Sequence, residues 1–211
     1  MEPKNNNRDP TINISPTVDG LEFTEYVYGY LDAGLSIFPI DPSGEKVLVR
    51  DWRQYIDRRP AFAEIGAWLD EYRWFNIGLA LGGVSRALAI MFPTLEHARA
   101  WFKSLNELQQ ISLVSFGLVV RVMHGDKLRN VYFVLQSEAE DLVPVGSVEG
   151  VDGARILGKG EYVLLPPSQL GTLSYRLWEP WRYNVKRPWI SPLPREPLEK
   201  ILGTFEKKGW F

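Results

Sequence analysis

Few side chains in this sequence stand in patterns that support known chemistry. His97 and His124 have no partner at metal-ligand spacing, and we predict both to be surface residues. Gly82-Gly83 lacks the Gly-Lys-Ser/Thr signature of a phosphate-binding loop, and Gly158-Lys159-Gly160 is too short for one, so both are predicted turns. No serine stands in a nucleophile-elbow context, so a Ser-His-Asp hydrolase has no support.

The end of one predicted strand is a place where chemistry is expected. An apolar run from Ile77 leads through Gly82-Gly83 into a second run, Ala87 to Phe92, which predicts two buried strands joined by a tight turn. A buried strand that ends just before a helix is a favoured position for catalytic groups. Here the strand ends in Met91-Phe92-Pro93, which can neither hold a metal nor move a proton. The segment is therefore either ordinary core or a site that has lost its chemistry.

The segment from Leu173 onward combines aromatic and basic side chains, a pairing that can stack bases and neutralise phosphates. The alternative is that its tryptophans pack on a sheet while its charges face water. Its aromatic residues are Tyr175, Trp178, Trp181, Tyr183 and Trp189, and its basic residues are Arg176, Arg182, Lys186, Arg187, Arg195, Lys200, Lys207 and Lys208. The sequence leaves both interpretations open.

Composition limits the classes of protein that fit. The 211 residues carry a net charge of -2, so no global field draws the chain to nucleic acid. The absence of cysteine excludes disulfides, thiolate zinc sites and iron–sulfur clusters. No apolar run approaches the ~20 residues of a membrane helix, so we expect no membrane partner and a cytoplasmic location. We predict a disordered tail over residues 1–18 and a single domain of two intertwined α/β modules over 19–211, with the basic-aromatic segment at its C-terminal end.

Helices and strands are predicted in a mixed order without strict alternation, which favours an α+β fold. Apolar residues at helical spacing predict helices over 21–31, 62–72, 95–108 and 194–202. Predicted strands are 35–40 and 46–50, which form a hairpin, then 77–81, 87–92, 113–123, 130–136, 154–157 and 162–165. The acidic segment 137–150 is predicted to be a solvated loop.

The order of several short motifs carries more information than any one of them. The motifs are Gly34-Leu-Ser-Ile-Phe-Pro-Ile40, Lys46 with Trp52, Trp68, Asn76-Ile-Gly78, Gly82-Gly-Val-Ser85, Asn130-Val-Tyr-Phe133, Gly160-Glu-Tyr-Val-Leu-Leu-Pro-Pro-Ser168 with Gly171 and Tyr175, and Pro192-Leu-Pro194. Over residues 21–202 this series resembles the bifunctional primase–polymerase domain of the archaeo-eukaryotic primase superfamily, which is common in plasmids and viruses. The resemblance implies a two-module α+β fold with an RRM-like mixed or antiparallel sheet flanked by helices.

In active members of that superfamily, two acids at alternate positions of the strand after Gly-Gly-x-Ser hold divalent metals on one face. These acids align with Met91 and Pro93, and the histidine that binds the incoming nucleotide's phosphates aligns with Asn130. A third acid aligns with Arg155, or less well with Asp152 if the loop has shifted. The resemblance therefore predicts a catalytically inactive member without a bound metal or other cofactor.

The hypothesis that follows is an accessory protein in DNA replication or primer synthesis. Its expected partners are single-stranded DNA or primer-template, or an active primase or other replication protein. We expect the fold to gather residues for contact with DNA or a nucleotide near the former site: Arg121, Lys127, Arg129, Asn130, Arg155 and Lys159. Arg155 could pair a phosphate directly, or it could pair with Asp152 or Glu161.

Two other functions remain open at this stage. The first is a metal-dependent nuclease or nucleotidyl transferase whose carboxylates have moved, with Asp126, Glu149, Asp152 and Glu161 as candidates. The second is a pure protein-interaction module without nucleic-acid contact. Convergence of two of those carboxylates would favour the first, and a C-terminal segment packed as core would favour the second.

Overall fold

Two β-sheets organise the computed structural model, which describes residues 23–44, 46–150, 153–178 and 190–208. The larger sheet has the strand order β6-β7-β3-β5-β4-β10-β9, with β11 parallel to β5, and its other pairs are antiparallel. The smaller sheet has the order β1-β2-β8. The strands are β1 Ile37–Ile40, β2 Asn76–Ala80, β3 Ala87–Met91, β4 Leu118–His124, β5 Lys127–Ser137, β6 Ser147–Glu149, β7 Arg155–Leu157, β8 Tyr162–Leu165, β9 Gln169–Leu170, β10 Leu173–Leu177 and β11 Pro192–Leu193.

Among the described residues, six α-helices cover these sheets. They are α1 Phe23–Asp32, α2 Gln54–Asp57, α3 Phe62–Tyr72, α4 Leu95–Ser104, α5 Glu107–Phe116 and α6 Arg195–Leu202. Short 3₁₀ turns occupy Gly83–Ser85, Glu140–Leu142 and Gly203–Lys208. This mixture of helices and largely antiparallel sheets confirms the predicted α+β class. No helix among the described residues is both long and apolar enough to span a membrane.

Successive side chains of β3 point into two different hydrophobic cores. Leu88 and Ile90 belong to the core under α4, α5 and α6, whereas Ala87 and Ala89 face the core shared with the smaller sheet and α1 to α3. Successive side chains of a strand point to opposite faces, so this central strand contributes to both cores. The larger sheet is consequently buried on both sides, and its face toward the smaller sheet carries the end of β3.

The smaller sheet differs from the predicted hairpin of 35–40 with 46–50. Strand β1 pairs with β2 along its whole length, and Val47 makes only an isolated bridge to Ile40. A side chain at Gly78 would lie 2.7 Å from the Phe38 ring, so the bare backbone of β2 lets that ring pack over it. The apolar pattern was compatible with either partner, and the close contact with Gly78 favours β2.

The predicted helix 95–108 and strand 113–123 are also divided differently. Helix α4 ends before Leu105, and Asn106 begins α5 by accepting a hydrogen bond from the Gln109 amide at 3.0 Å, while the Gln109 side chain accepts from the Asn106 amide at 2.9 Å. This capping box satisfies amides at the helix start and carries the helix on to Phe116. Residues 113–116 are therefore helical, and the prediction that β4 begins there was wrong.

The acidic segment 137–150 is more ordered than the predicted solvated loop. It contains the turn Glu140–Leu142 and the strand β6. The Arg195 guanidinium donates to both carboxylate oxygens of Asp141 at 2.6 and 2.7 Å, which ties the segment to α6. The segment thus forms one edge of the larger sheet.

Helices α2 and α3 are joined by a network around Glu64. Its carboxylate accepts hydrogen bonds from Arg58 at 2.6 and 2.8 Å, from the Tyr55 hydroxyl at 2.9 Å and from the Ala61 amide at 2.8 Å. The hydrogen bonds from Arg58 lower the pKa of Glu64 to about 2, and burial raises the pKa of Tyr55 to about 12. The ionised carboxylate therefore stabilises the folded state.

This network predicts a stability difference that depends on pH. Because the folded state lowers the pKa of Glu64 from 4.5, its stabilisation is present above about pH 4.5 and is lost as pH falls toward 2. We expect Glu64→Gln to reduce the free energy of unfolding by about 1 to 2 kcal/mol at pH 7, because the pair is partly exposed and water screens it. Urea unfolding at pH 7 and pH 3 measures this, with the exposed Asp70→Asn on the same helix as control. A loss that is equal at both pH values would contradict the prediction.

Candidate functional site at the end of strand β3

Met91 ends β3 between two neighbouring strands. Its Cα partners are Tyr132 on β5 and Arg155 on β7. Directly opposite residues of antiparallel strands share one face, so these three side chains lie side by side on the face toward the smaller sheet. The position that the resemblance assigns to a metal-binding acid therefore lies between an aromatic side chain and a guanidinium.

Asn130, on β5, forms a hydrogen bond to the backbone just beyond the end of β3. Its side-chain amide donates to the Phe92 carbonyl at 2.6 Å, and its oxygen accepts from the Val131 amide at 2.8 Å. Pro93 follows Phe92, is exposed, and has no amide to donate. The Asn130 side chain thus replaces part of the backbone ladder that stops at the proline, and both of its polar ends are used within the protein.

Tyr132 connects the two sheets beside Met91. Its hydroxyl donates to the Leu164 carbonyl on β8, and its ring stands edge-to-face with Tyr175 at 6.4 Å. The side chain is 2% exposed, and burial raises its pKa well above the usual value. The space next to Met91 is consequently filled by aromatic rings.

Arg155 is the exposed cation of this strand end. Its guanidinium donates to the Ser147 hydroxyl at 3.0 Å, and its Cα partner on β6 is Glu149. From the sequence, pairing of Arg155 with Asp152 or Glu161 was the alternative to pairing with a phosphate. The structure instead shows a neutral hydroxyl as its hydrogen-bond partner, while Asp152 lies outside the described residues.

Lys127 and Arg129 lie at the same end of the larger sheet, in the β4–β5 hairpin. Both are exposed, and one guanidinium nitrogen of Arg129 is 3.2 Å from His124 Nδ1. Their strand runs antiparallel to β3, so the hairpin extends beyond Met91 and Pro93. Arg155, Lys127 and Arg129 therefore share one end of the sheet.

The expectation that all six predicted contact residues gather at the former site was wrong for two of them. Arg121 pairs with Val131, whose side chain is in the core under the helices, so Arg121 lies on the opposite face of the sheet. Lys159 packs against Gly82 at the beginning of β3, roughly 13 Å along the strand from Met91, with its amine 3.7 Å from Asp57. The alternation of side chains along β4 places Arg121 on the other face from Met91, and the length of β3 separates Lys159 from Met91.

The comparison with protein families decides the identity at the level of family. Residues 28–196 match the model of the bifunctional DNA primase/polymerase, N-terminal domain. The chain belongs to this primase/polymerase family. No curated protein matches the chain in a sequence comparison. The family accounts for the α+β architecture and relates the protein to DNA primase and polymerase function.

The residues at the strand end do not fit the divalent metal ions implied by the primase/polymerase resemblance. Magnesium prefers carboxylate and water oxygens, whereas Met91 offers a thioether, Pro93 has no side-chain donor atom, and Asn130 offers one neutral oxygen, which accepts from the Val131 amide. The Arg155 guanidinium would repel a cation placed beside Met91. These side chains therefore provide no ligand set for a divalent metal ion.

The carboxylates considered for a relocated metal site lie on separate elements. Asp126 is in the β4–β5 turn, Glu149 is on β6, and Glu161 precedes β8, where its carbonyl accepts from Leu81. Asp152 lies outside the described residues. Within the part of the chain that the structure describes, no group of three or more His, Cys, Asp or Glu could hold a metal.

The structure describes His97 and part of the predicted basic-aromatic segment. His97 lies on α4 with Nδ1 2.7 Å from the Thr94 hydroxyl, and it is exposed as predicted. In the basic-aromatic segment, Tyr175 belongs to β10 and packs on the core, whereas Trp178 is 40% exposed. Residues 179–189 lie outside the described residues, as do residues 1–18, so the disordered tail stays a prediction and both interpretations of most of the basic-aromatic segment stay open.

Sequence reasoning missed two side chains that shape the candidate site. Tyr132 stands two residues after Asn130 and therefore on the same face, a periodicity that could have identified it. Ser147, the partner of Arg155, comes from β6, which was predicted to be a loop. No sequence signal pairs these two residues, because the contact depends on the order of strands in the sheet.

Proposed function

We propose that this protein is a non-catalytic primase/polymerase-family domain that assists DNA replication or primer synthesis by contacting single-stranded DNA at the former catalytic strand end. The observation that carries the proposal is the pairing of Met91 with Arg155. An exposed guanidinium stands where the resemblance places a metal-bound carboxylate. The same resemblance places the substrate's phosphates at this strand end.

Loss of catalysis follows from the side chains present. The family mechanism requires carboxylates to bind the metals that neutralise the triphosphate. Met91, Pro93 and Arg155 provide none, and Tyr132 fills the space beside them. Nucleotide addition by a metal-dependent route is therefore not expected from these residues.

Retention of DNA contact follows from charge and geometry. A guanidinium binds phosphate oxygens through charge-assisted hydrogen bonds without a metal. Arg155 uses one nitrogen on a neutral hydroxyl and remains exposed, and the Lys127–Arg129 hairpin adds two cations at the same end of the sheet. Asp126 and Glu149 lie there too, which limits the positive potential and favours weak binding that is sensitive to salt.

Fluorescence anisotropy with a labelled oligo-dT strand in EDTA tests the proposal. We expect binding without metal that weakens as salt increases, and an affinity for Arg155→Ala that is about fivefold lower. Arg50→Ala, an exposed arginine between β1 and α2, is the matched control and should retain full affinity. A parallel primer-extension assay with Mg²⁺ and Mn²⁺ should give no product.

Two results would overturn parts of this proposal. Metal-dependent primer extension by the purified protein would refute the non-catalytic role. Equal affinities for Arg155→Ala and Arg50→Ala would refute the contact at the strand end. Circular dichroism of both variants confirms that the fold is retained.

A further inference from the structure

A second candidate site lies on the opposite face of the larger sheet. A cavity of about 340 Å³ opens between α4, the sheet and Trp178, and it is lined mainly by apolar side chains that include Phe102 and Phe133. This volume is in the range of small-ligand pockets. The cavity is separated from Arg155 and Met91 by the thickness of the sheet.

The charged side chains of this cavity are all cationic. Arg99 and Lys103 on α4 and Arg121 on β4 line it, and no lining residue in the described part of the chain is acidic. The Arg121 Nε is buried and has no hydrogen-bond partner in the structure, although another nitrogen of the same group donates to the Leu177 carbonyl at 2.8 Å. Leaving this nitrogen unsatisfied carries a cost, and a negative charge in the cavity would offset the positive charge of the partly buried guanidinium.

The strand pairing concentrates positive charge on this face. Arg176 on β10 is the Cα partner of Arg121, so two like charges stand directly opposite each other. Such a pair is destabilising unless a counter-charge is present. Trp178 follows two residues later on the same face and is 40% exposed at the mouth of the cavity.

We infer that this cavity binds a nucleotide unit of single-stranded DNA, with its base stacked on Trp178 and its phosphate held by Arg121, Arg99 and Lys103. Stacking on an aromatic ring combined with cations along the backbone is the usual chemistry of single-strand binding. The half-exposed tryptophan leaves the base edges in contact with water, which suits a cavity without hydrogen-bond acceptors among its side chains. This inference rests on the proposed DNA-binding role and adds a second contact for the same ligand.

Fluorine NMR of protein labelled with 5-fluorotryptophan tests the site directly, with the Trp178 signal assigned by its loss in Trp178→Phe. We expect oligo-dT to shift this signal, and we expect Arg99→Ala with Lys103→Ala to lower the affinity about tenfold in anisotropy. Lys46→Ala with Arg50→Ala removes the same charge from exposed positions elsewhere and serves as control. Trp178→Ala should weaken binding, and Trp178→Phe should restore most of it.

The outcomes separate this inference from the proposed function. DNA binding that depends on Arg155 but leaves the Trp178 signal unchanged would overturn the second site alone. A shifted Trp178 signal with binding insensitive to Arg155→Ala would overturn the first contact alone. A shift caused by dodecanoate and not by oligo-dT would assign the cavity to acyl anions and would also overturn the inference.

Discussion

A triple variant, Met91→Asp with Pro93→Asp and Arg155→Asp, is expected to bind Mn²⁺ at least tenfold more tightly than the unaltered protein. Met91 packs on the core of the smaller sheet and Phe92 on the core under the helices, so we expect a side chain at position 93 to return to the face of position 91. Position 155 is the Cα partner of 91, so its carboxylate would join theirs. Three converging carboxylates are a suitable ligand set for a hard divalent cation.

A double variant that keeps Arg155 tests how strongly the guanidinium opposes metal binding. With Arg155 retained, an aspartate at position 91 would face a guanidinium across the strand pair, and the ion pair would compete with the metal. We therefore expect Met91→Asp with Pro93→Asp alone to bind Mn²⁺ much more weakly than the triple variant. Electron paramagnetic resonance of free Mn²⁺ measures both affinities.

A control variant with the same change in net charge distinguishes a specific Mn²⁺ site from general electrostatic attraction of the ion. In Pro93→Asp with Thr94→Asp and Arg155→Asp, the aspartates at 93 and 94 occupy consecutive positions, and aspartate at 94 can keep the cap that Thr94 provides to α4. This control should bind Mn²⁺ no better than the unaltered protein. Equal affinities in the two triple variants would contradict the assignment of the family's metal position to the end of β3.

The second large effect is expected at the turn that joins the two sheets. Gly83 has φ +47°, and a Cβ there would lie 1.8 Å from the Ile56 carbonyl oxygen of α2. Gly83→Ala must therefore move α2 or the turn Gly83–Ser85, in addition to straining the backbone. We expect a loss of about 3 to 4 kcal/mol in the free energy of unfolding, by the combined cost of overpacking and a left-handed alanine.

Gly125→Ala is the matched control for this prediction. Gly125 has φ +57°, close to that of Gly83, but a Cβ there meets nothing within 4 Å. Its substitution should cost about 1 kcal/mol, which is the backbone strain alone. Urea unfolding of the two variants measures the difference, and similar losses in both would show that the contact with α2 does not constrain the turn.

The sequence predicted the elements that depend on local pattern. Apolar periodicity located α1, α3, α6, β3 and β8, because burial on one face imposes a spacing that the residues display. The apolar pattern gave a wrong prediction where one apolar run was compatible with both a helix and a strand. Residues 113–116 suit a helix or a strand, and the capping box at Asn106 decided for the helix.

The sequence by itself determined the family, the α+β class and the side chains present at the end of β3. It predicted that Met91, Pro93, Asn130 and Arg155 occupy the positions of the family's site residues, because motif order is a property of the chain alone. Only the tertiary structure decided which of the other residues join them. Strand order kept Lys127 and Arg129 at the end of β3 and sent Arg121 to the opposite face, because pairing and register arise from contacts between segments far apart in the sequence.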